Sequence, residues 1–222
     1  MFAQFDEAER GVNGFGSFCR NKRTSAAWPK PGIRFSFINF SVPKIREEHL
    51  LLYYFAYGSN LHPVRLLERV SSAELLDVIE LKKYCLAFHK KSQDGSSKCN
   101  LVHTGEESDG VFGAIYQIDS AHKQALDRFE GNGNGYHDSQ LTVELHGKEH
   151  SCFTYFAQQS YIENNLKPYH WYKNLVVLGA RHLQFPDGYV RSIEMIESVE
   201  DLNDARRRQH ELLIEEIRNY PS

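Results

Sequence analysis

The chain has 222 residues, of which 41% are hydrophobic, 13% aromatic and 25% charged, and this composition is typical of a globular protein long enough to bury a core. The formal net charge of −3 argues against a dedicated nucleic-acid-binding protein, because such proteins usually carry an evident basic excess. No apolar run reaches the roughly eighteen residues that a transmembrane helix requires, so the sequence predicts no membrane span.

The first 49 residues differ from the rest of the chain. Glycine and proline interrupt them, as in Trp28–Gly32 (WPKPG), and no regular periodicity develops. Acidic residues at Asp6–Glu9 stand where a signal peptide would need apolar ones. Phe35–Phe40 (FSFINF) is an apolar segment that would form an edge strand or pack on the core. We expect residues 1–49 to be a poorly structured or peripheral extension, or the product of a start codon assigned too far upstream, and residues 50–222 to form one folded domain.

From residue 50 onward, short apolar runs alternate with turn residues and amphipathic stretches. This pattern predicts strands at Leu51–Tyr57, Leu75–Leu81, Tyr84–His89, Asn100–His103, Val111–Ile118, Leu141–Leu145 and Ser151–Phe156. It predicts helices that begin at Pro63 and at Asp119 or Ser120, the second running to about Phe129, and further helices at Tyr169–His182 and Asn203–Arg218. Because strands and helices do not alternate regularly, we expect an α+β fold rather than a doubly wound sheet.

The motifs predict neither a metal site nor a cofactor site. His146–His150 matches H-x-x-E-H, an inverted zinc-peptidase motif whose histidines must share one face of a helix. Gly147 and the alternating residues on both sides favour the tip of a β-hairpin instead. The sequence has no nucleotide-binding glycine motif and no serine or cysteine nucleophile motif. The cysteines are widely separated, which indicates reduced thiols in a cytoplasmic protein: Cys19, Cys85, Cys99 and Cys152.

A strand that ends in a glycine-containing turn is the first feature that could carry chemistry. Tyr54–Leu61 (YFAYGSNL) is an apolar run that passes into Gly58-Ser59-Asn60 just before a helix. Such a turn can direct successive backbone N–H groups into one concavity and so bind a carboxylate or a developing oxyanion. The alternative is an ordinary strand-to-helix turn in which Ser59 or Asn60 caps the helix.

The second feature is Glu130, which ends a predicted helix just before a glycine-rich segment. The carboxyl end of a helix carries negative partial charge, which disfavours a charged carboxylate there. Burial by Phe129 and Tyr136 would add to this effect, and both effects favour the protonated form, as in a tuned general acid/base. The alternative is an exposed glutamate beside a flexible loop.

Together these features resemble the γ-glutamylcyclotransferase family. The resemblance covers nearly all of residues 50–222 and none of residues 1–49. It is carried, in order, by Tyr54–Leu61, Gly110–Tyr116 (GVFGAIY), Leu126–Gly131 (LDRFEG), Tyr155 and Pro168–Pro186. It implies that residues 50–222 are a catalytic domain, a small mixed β-barrel with surrounding helices, which agrees with the α+β expectation, and that the substrate cavity lies at the mouth of the barrel.

The resemblance also implies residue roles. Glu130 would be the general acid/base, and the backbone from Tyr57 to Asn60 would hold the γ-glutamyl group of a small-molecule substrate. The implied substrate-binding residues are Tyr54, Phe55, Ala56, Tyr57, Gly58, Ser59, Asn60, Tyr155 and Tyr172. The implied reaction converts a γ-glutamyl amino acid or peptide to 5-oxoproline and a free amine, without a cofactor. Two alternatives stay open: a γ-glutamylamine cyclotransferase acting on an ε-lysyl amide or a biosynthetic intermediate, and a non-catalytic binding module of the same fold.

One region departs from the family pattern. Many relatives carry two adjacent tyrosines after the Glu-Gly pair, whereas this chain has Tyr136 followed by His137. The preceding Gly131–Gly135 segment (GNGNG) predicts a flexible loop that could close over the cavity as a lid. We expect this region to influence what the rim of the cavity recognises.

Overall fold

The computed structural model describes residues 50–221, so the expectations for Phe35–Phe40 and for the rest of the N-terminal extension lie outside the described residues. The strands are β1 (Leu51–Ala56), β2 (Glu74–Lys82), β3 (Tyr84–Lys91), β4 (Ser97–His103), β5 (Gly110–Asp119), β6 (Tyr136–Leu145) and β7 (Lys148–Ala157). The helices are α1 (Pro63–Leu67), α2 (Ser120–Glu130), α3 (His170–His182), α4 (Asp187–Glu194) and α5 (Asp204–Asn219), with a short 3-10 helix at Gln159–Tyr161.

The strands of this region form a five-stranded mixed sheet, in the order β2-β5-β1-β7-β6, and a two-stranded sheet of β3 and β4. The central strand β1 runs antiparallel to β5 and parallel to β7. A central strand is covered on both faces, and this explains why its sequence is apolar without alternation. The mixed sheet with helices packed around it confirms the predicted α+β fold.

Helix α3 packs closely on the chain segment that leaves β1. Its apolar side, which includes Leu175 and Ala180, is fully buried. Gly179 makes the close approach possible, because a Cβ atom there would lie 2.5 Å from Leu61 Cβ and 3.0 Å from the backbone nitrogen of His62. The helix thus supports the turn that follows β1 from one side.

The β6–β7 hairpin confirms the interpretation of the H-x-x-E-H motif as a turn. His146 and Gly147 join the two strands, and both have positive φ angles, +51° and +75°. This conformation is typical of the two-residue turns that connect antiparallel strands. The two histidines of the motif therefore do not lie on a helix.

Helix α4 is the main element that the sequence analysis missed. It begins after Pro186 and has only eight residues, of which Val190 and Ile193 are buried. Two apolar positions on one side are too few to give a clear helical period. Within the described residues, no helix combines the length and the apolarity needed to cross a bilayer.

Candidate active site

A small cavity opens where the central strand β1 ends. Most of the residues expected to form the site line it, although they come from distant parts of the sequence. The lining residues are Tyr54, Tyr57, Gly58, Ser59, Asn60, Cys99, Glu130, Tyr136, Tyr155 and Tyr172. The fold therefore brings the turn after β1, the end of α2 and two tyrosines of β7 and α3 to one place.

Two residues assigned to substrate binding, Phe55 and Ala56, do not line the cavity. Both are fully buried. Successive side chains of a strand point to opposite faces of the sheet, so Phe55 lies on the other face from Tyr54. Ala56 is on the same face as Tyr54, but its methyl group is too short to extend beyond the neighbouring side chains. These residues belong to the core that supports the site.

The turn from Tyr57 to Asn60 does not cap helix α1, which was one of the two interpretations of the sequence. The N-cap of α1 is His62, whose Nδ1 accepts a hydrogen bond from the backbone N–H of Val64 at 3.3 Å, so neither Ser59 nor Asn60 caps the helix. Gly58 leaves little space for a side chain: a Cβ atom there would lie 3.2 Å from Cys99 Cβ and 3.4 Å from the Tyr172 hydroxyl oxygen. A side chain at this position would narrow the cavity.

Glu130 is the last residue of α2 and contacts the turn directly. Gly131 ends the helix in a left-handed conformation, with φ of +68°, which glycine adopts without steric cost. Glu130 Oε1 accepts a hydrogen bond from Asn60 Nδ2 at 2.9 Å and forms an ion pair with Arg69 Nη1 at 2.8 Å. Among the described residues that line the cavity, Glu130 is the only one with a carboxylate.

The surroundings of Glu130 differ in part from the apolar environment that the sequence suggested, since Tyr136 is buried and lines the same cavity but Phe129 is exposed. Phe129 does not cover the carboxylate, because 58% of its surface is exposed. Its ring instead lies under the Arg69 guanidinium, with the carbon Cζ 5.3 Å from the ring centroid. The negative charge of Glu130 is therefore balanced by a cation, and an ion-paired carboxylate is the form that a base requires.

Arg69 is a site residue that sequence reasoning missed. It follows α1, and its Nη1 donates to both Glu130 Oε1 and Asn60 Oδ1, at 2.8 and 2.9 Å. The two contacts join the turn, the carboxylate and the chain after α1 in one network. No local pattern marks Arg69, since its partner Glu130 is 61 positions away.

The remaining wall of the cavity consists of buried tyrosines and one thiol. Tyr57 donates to the backbone oxygen of Tyr155, Tyr136 donates to that of Cys99, and the Tyr172 hydroxyl accepts from the Cys99 N–H at 3.0 Å. Burial raises the pKa values of Tyr57, Tyr136 and Tyr172 well above the usual range. Burial also raises the pKa of the Cys99 thiol to about 12. This wall is therefore uncharged at neutral pH, and the thiol is not poised as a nucleophile.

Tyr155 connects the sheet to helix α2. Its hydroxyl donates to Asp127 Oδ1 at 2.7 Å, and Asp127 lies one turn before Glu130 on α2. The aspartate of the L-D-x-x-E-G segment thus fixes the end of the helix against β7, a role that the sequence analysis did not assign.

Several hydrogen bonds join the residues of the glycine-rich loop after Glu130, and its role as a lid stays a prediction. Asn134 N–H donates to the oxygen of Gly131, and Gly133 N–H donates to that of Tyr136, both at 2.8 Å. The Asn132 side chain bonds to Asp127 and to Asp138. The glycines have positive φ angles, so they permit a tight turn here.

Comparisons with known proteins agree with this fold. A model of the AIG2-like family matches residues 110–193. The γ-glutamylcyclotransferase of Bos taurus is 31% identical over 149 residues, which are 65% of this chain and 78% of that protein. The γ-glutamylcyclotransferase of Homo sapiens is 30% identical over 165 residues, which are 68% and 80% of the two chains.

Solved structures show the same relationship. A γ-glutamyl cyclotransferase structure is similar with a TM-score of 0.65 and 25% identity, over 75% of this chain and 99% of that chain. An uncharacterized protein from Homo sapiens is similar with a TM-score of 0.63 and 26% identity, over 74% and 98%. The chain thus shares the fold of these two solved structures. Its similarity to the bovine and human proteins shows that the chain belongs to the γ-glutamylcyclotransferase family.

Proposed function

We propose that this protein is an enzyme that converts a γ-glutamyl amino acid or peptide to 5-oxoproline and a free amine. Two observations support the proposal. The relatives of the chain are named as γ-glutamylcyclotransferases, and the cavity brings an ion-paired carboxylate beside a turn of backbone donors. The free cysteines of the described region, Cys85, Cys99 and Cys152, agree with a cytoplasmic location.

The reaction needs few protein groups because the substrate supplies its own nucleophile. The α-amine of the γ-glutamyl group attacks its own γ-carbonyl carbon, and a new C–N bond closes a five-membered lactam. The original amide C–N bond then breaks and releases the amine. An enzyme that holds the substrate in the attacking shape gains the advantage of an intramolecular reaction, for which effective molarities reach about 10⁵ M or more.

Glu130 performs the proton transfers in this proposal. It takes a proton from the attacking ammonium group and later delivers it to the departing nitrogen, so that the reaction leaves no net change on the enzyme. Arg69 and Asn60 hold the carboxylate through Oε1, at 2.8 and 2.9 Å. Residues 50–221 give Oε2 no such partner, so this oxygen is the one free to exchange the proton.

The turn after β1 binds the γ-glutamyl group in this proposal. The backbone N–H groups of Gly58, Ser59 and Asn60 belong to residues that line the cavity, and such groups stabilise a carboxylate or an oxyanion. The neutral tyrosines, among them Tyr155 and Tyr172, enclose the substrate and exclude water. Exclusion of water strengthens the interaction of the substrate with Glu130.

One observation carries the proposal: the distance of 2.9 Å between Glu130 Oε1 and Asn60 Nδ2, which joins the acid/base to the turn. The direct test is a panel of γ-glutamyl compounds with 5-oxoproline as the measured product. Turnover of γ-glutamyl amino acids supports the proposal. Turnover of only N-ε-(γ-glutamyl)lysine or other γ-glutamylamines would assign the alternative cyclotransferase. Binding of these compounds without any product would identify a non-catalytic module.

A further inference from the structure

Lys90 is a buried cation at the edge of the candidate site. It lies near the end of β3, and only 7% of its surface is exposed. Its Nζ atom is 4.4 Å from the centre of the Tyr136 ring, which lines the cavity, and 5.9 Å from the centre of the half-buried Tyr161 ring. A Cβ atom on Gly135 would lie 2.8 Å from Nζ, so the loop backbone covers the ammonium group closely.

Lys90 has no hydrogen-bond acceptor and no ion-pair partner within residues 50–221, whereas the partly buried cations Lys98 and Arg69 each have a carboxylate partner. Lys98, which pairs with Lys90 across the β3–β4 ladder, forms an ion pair with Asp94 at 2.7 Å. Arg69 has Glu130. A buried ammonium group without a partner is costly, because it loses water and gains no hydrogen bond in return. Burial accordingly lowers the pKa of Lys90, while the charge of Glu130 acts in the opposite direction.

The ammonium group is nevertheless not fully enclosed. The fully enclosed polar side-chain atoms without a partner, in the part of the chain that the structure describes, are Arg65 Nε, Ser97 Oγ and Tyr189 Oη. Lys90 Nζ is not one of them, so the remaining exposure of the residue includes its charged end. The group lies close to two tyrosine rings, those of Tyr136, which lines the cavity, and Tyr161, which does not.

We propose that Lys90 binds the carboxylate of the leaving amino acid, and thereby makes the enzyme selective for γ-glutamyl α-amino acids over γ-glutamylamines. This inference rests on the proposed function and names its substrate class. The γ-glutamyl half must reach Glu130 and the turn inside the cavity, and Lys90 is not among the residues that line this cavity. In this proposal the leaving half extends from the scissile nitrogen past Tyr136 toward Lys90. A carboxylate there would give Lys90 the charged partner that it lacks.

The test compares two substrates that differ only in this carboxylate. γ-Glutamylalanine and γ-glutamylethylamide share the γ-glutamyl group and the ethyl skeleton of the leaving amine. We expect Lys90→Met to lower kcat/KM for γ-glutamylalanine about 10- to 100-fold, the range for the loss of a charge-assisted hydrogen bond. We expect a change of less than about threefold for γ-glutamylethylamide. Lys90→Arg, which keeps the charge, should retain most of the selectivity.

The matched control is Lys91→Met, because Lys91 is the next residue of the same strand and is exposed. It should leave the ratio of the two kcat/KM values unchanged. This ratio does not depend on the fraction of folded enzyme, so it remains informative even if Lys90→Met lowers the melting temperature. An equal loss on both substrates, or no loss on either, would overturn the inference and leave the proposed function intact. Turnover of neither substrate by the unmodified protein would overturn both.

Discussion

The substitution Glu130→Gln tests the proposed acid/base directly. Glutamine keeps the shape of the side chain and an oxygen that can accept from Arg69 and Asn60, but it cannot take up a proton. A positioned general base contributes about 10²–10⁴-fold to a rate, or roughly 3–5 kcal/mol of activation free energy. We therefore expect kcat for 5-oxoproline formation to fall by about three orders of magnitude.

The effect on folding should be much smaller. The ion pair between Glu130 and Arg69 is partly buried, with exposed side-chain fractions of 17% and 14%, and the hydrogen bonds can persist with an amide. A loss of about 1 kcal/mol corresponds to a decrease of about 2–4 °C in the melting temperature of a domain of this size. Activity and stability thus change by very different amounts, and this separates a catalytic role from a structural one.

The assay measures 5-oxoproline release at saturating substrate, with thermal unfolding of each variant recorded in parallel. Glu149→Gln is the matched control, since Glu149 is exposed near the tip of the β6–β7 hairpin. It should retain the kcat of the unmodified protein. A Glu130→Gln variant that folds normally and retains more than about a tenth of that kcat would refute the acid/base assignment.

Three further predictions follow from the same contacts. Arg69→Met should lower kcat about tenfold or more while substrate binding is largely kept, because the carboxylate loses its ion pair; an unchanged kcat would show that Arg69 has no positioning role. Gly58→Ala should raise KM at least tenfold, because the added methyl group narrows the cavity, whereas Gly188→Ala, which adds a methyl group in open space, should leave KM unchanged. His62 and His210 have pKa values lowered to about 4 by burial, so the unfolded chain binds more protons than the folded one between pH 6.5 and 4. The free energy of unfolding, measured with urea, should therefore fall as the pH falls through this window, by up to about 1.4 kcal/mol per pH unit for each histidine. A flat profile there would contradict the assigned burial.

The elements that frame the site could be predicted because their signals are local. The apolar run of β1 and its end in Gly58-Ser59-Asn60 depend on neighbouring residues only, and β1 ends at Ala56 in the structure. The helix before Glu130 has an equally local signature: Asp119 caps it and Gly131 ends it. Caps and turns are made by residues within a few positions of one another, so the sequence contains both halves of each interaction.

The partners across the site could not be predicted in this way. Phe129 precedes Glu130 in sequence, and the expectation that it buries the carboxylate was wrong because the ring faces Arg69 and solvent. Cys99 lines the cavity from β4, and nothing near it in the sequence indicates the turn after β1. These contacts depend on strand order, which a hydrophobic pattern does not specify.

Asn60 has both a local role in the turn and contacts with residues that are distant in the sequence. In the sequence it is a turn residue that could cap a helix. In the structure its side-chain amide nitrogen and amide oxygen instead both form hydrogen bonds with other side chains of the site. Nδ2 donates to Glu130 and to the Tyr54 hydroxyl, at 2.9 and 3.1 Å, and Oδ1 accepts from Arg69 at 2.9 Å. An aspartate would satisfy a local capping role equally well, but it would bring a second negative charge against the Glu130 carboxylate and would lose the donor. The choice of asparagine at this position is therefore explained by the acid/base that it contacts, 70 residues away, and not by the turn in which it lies.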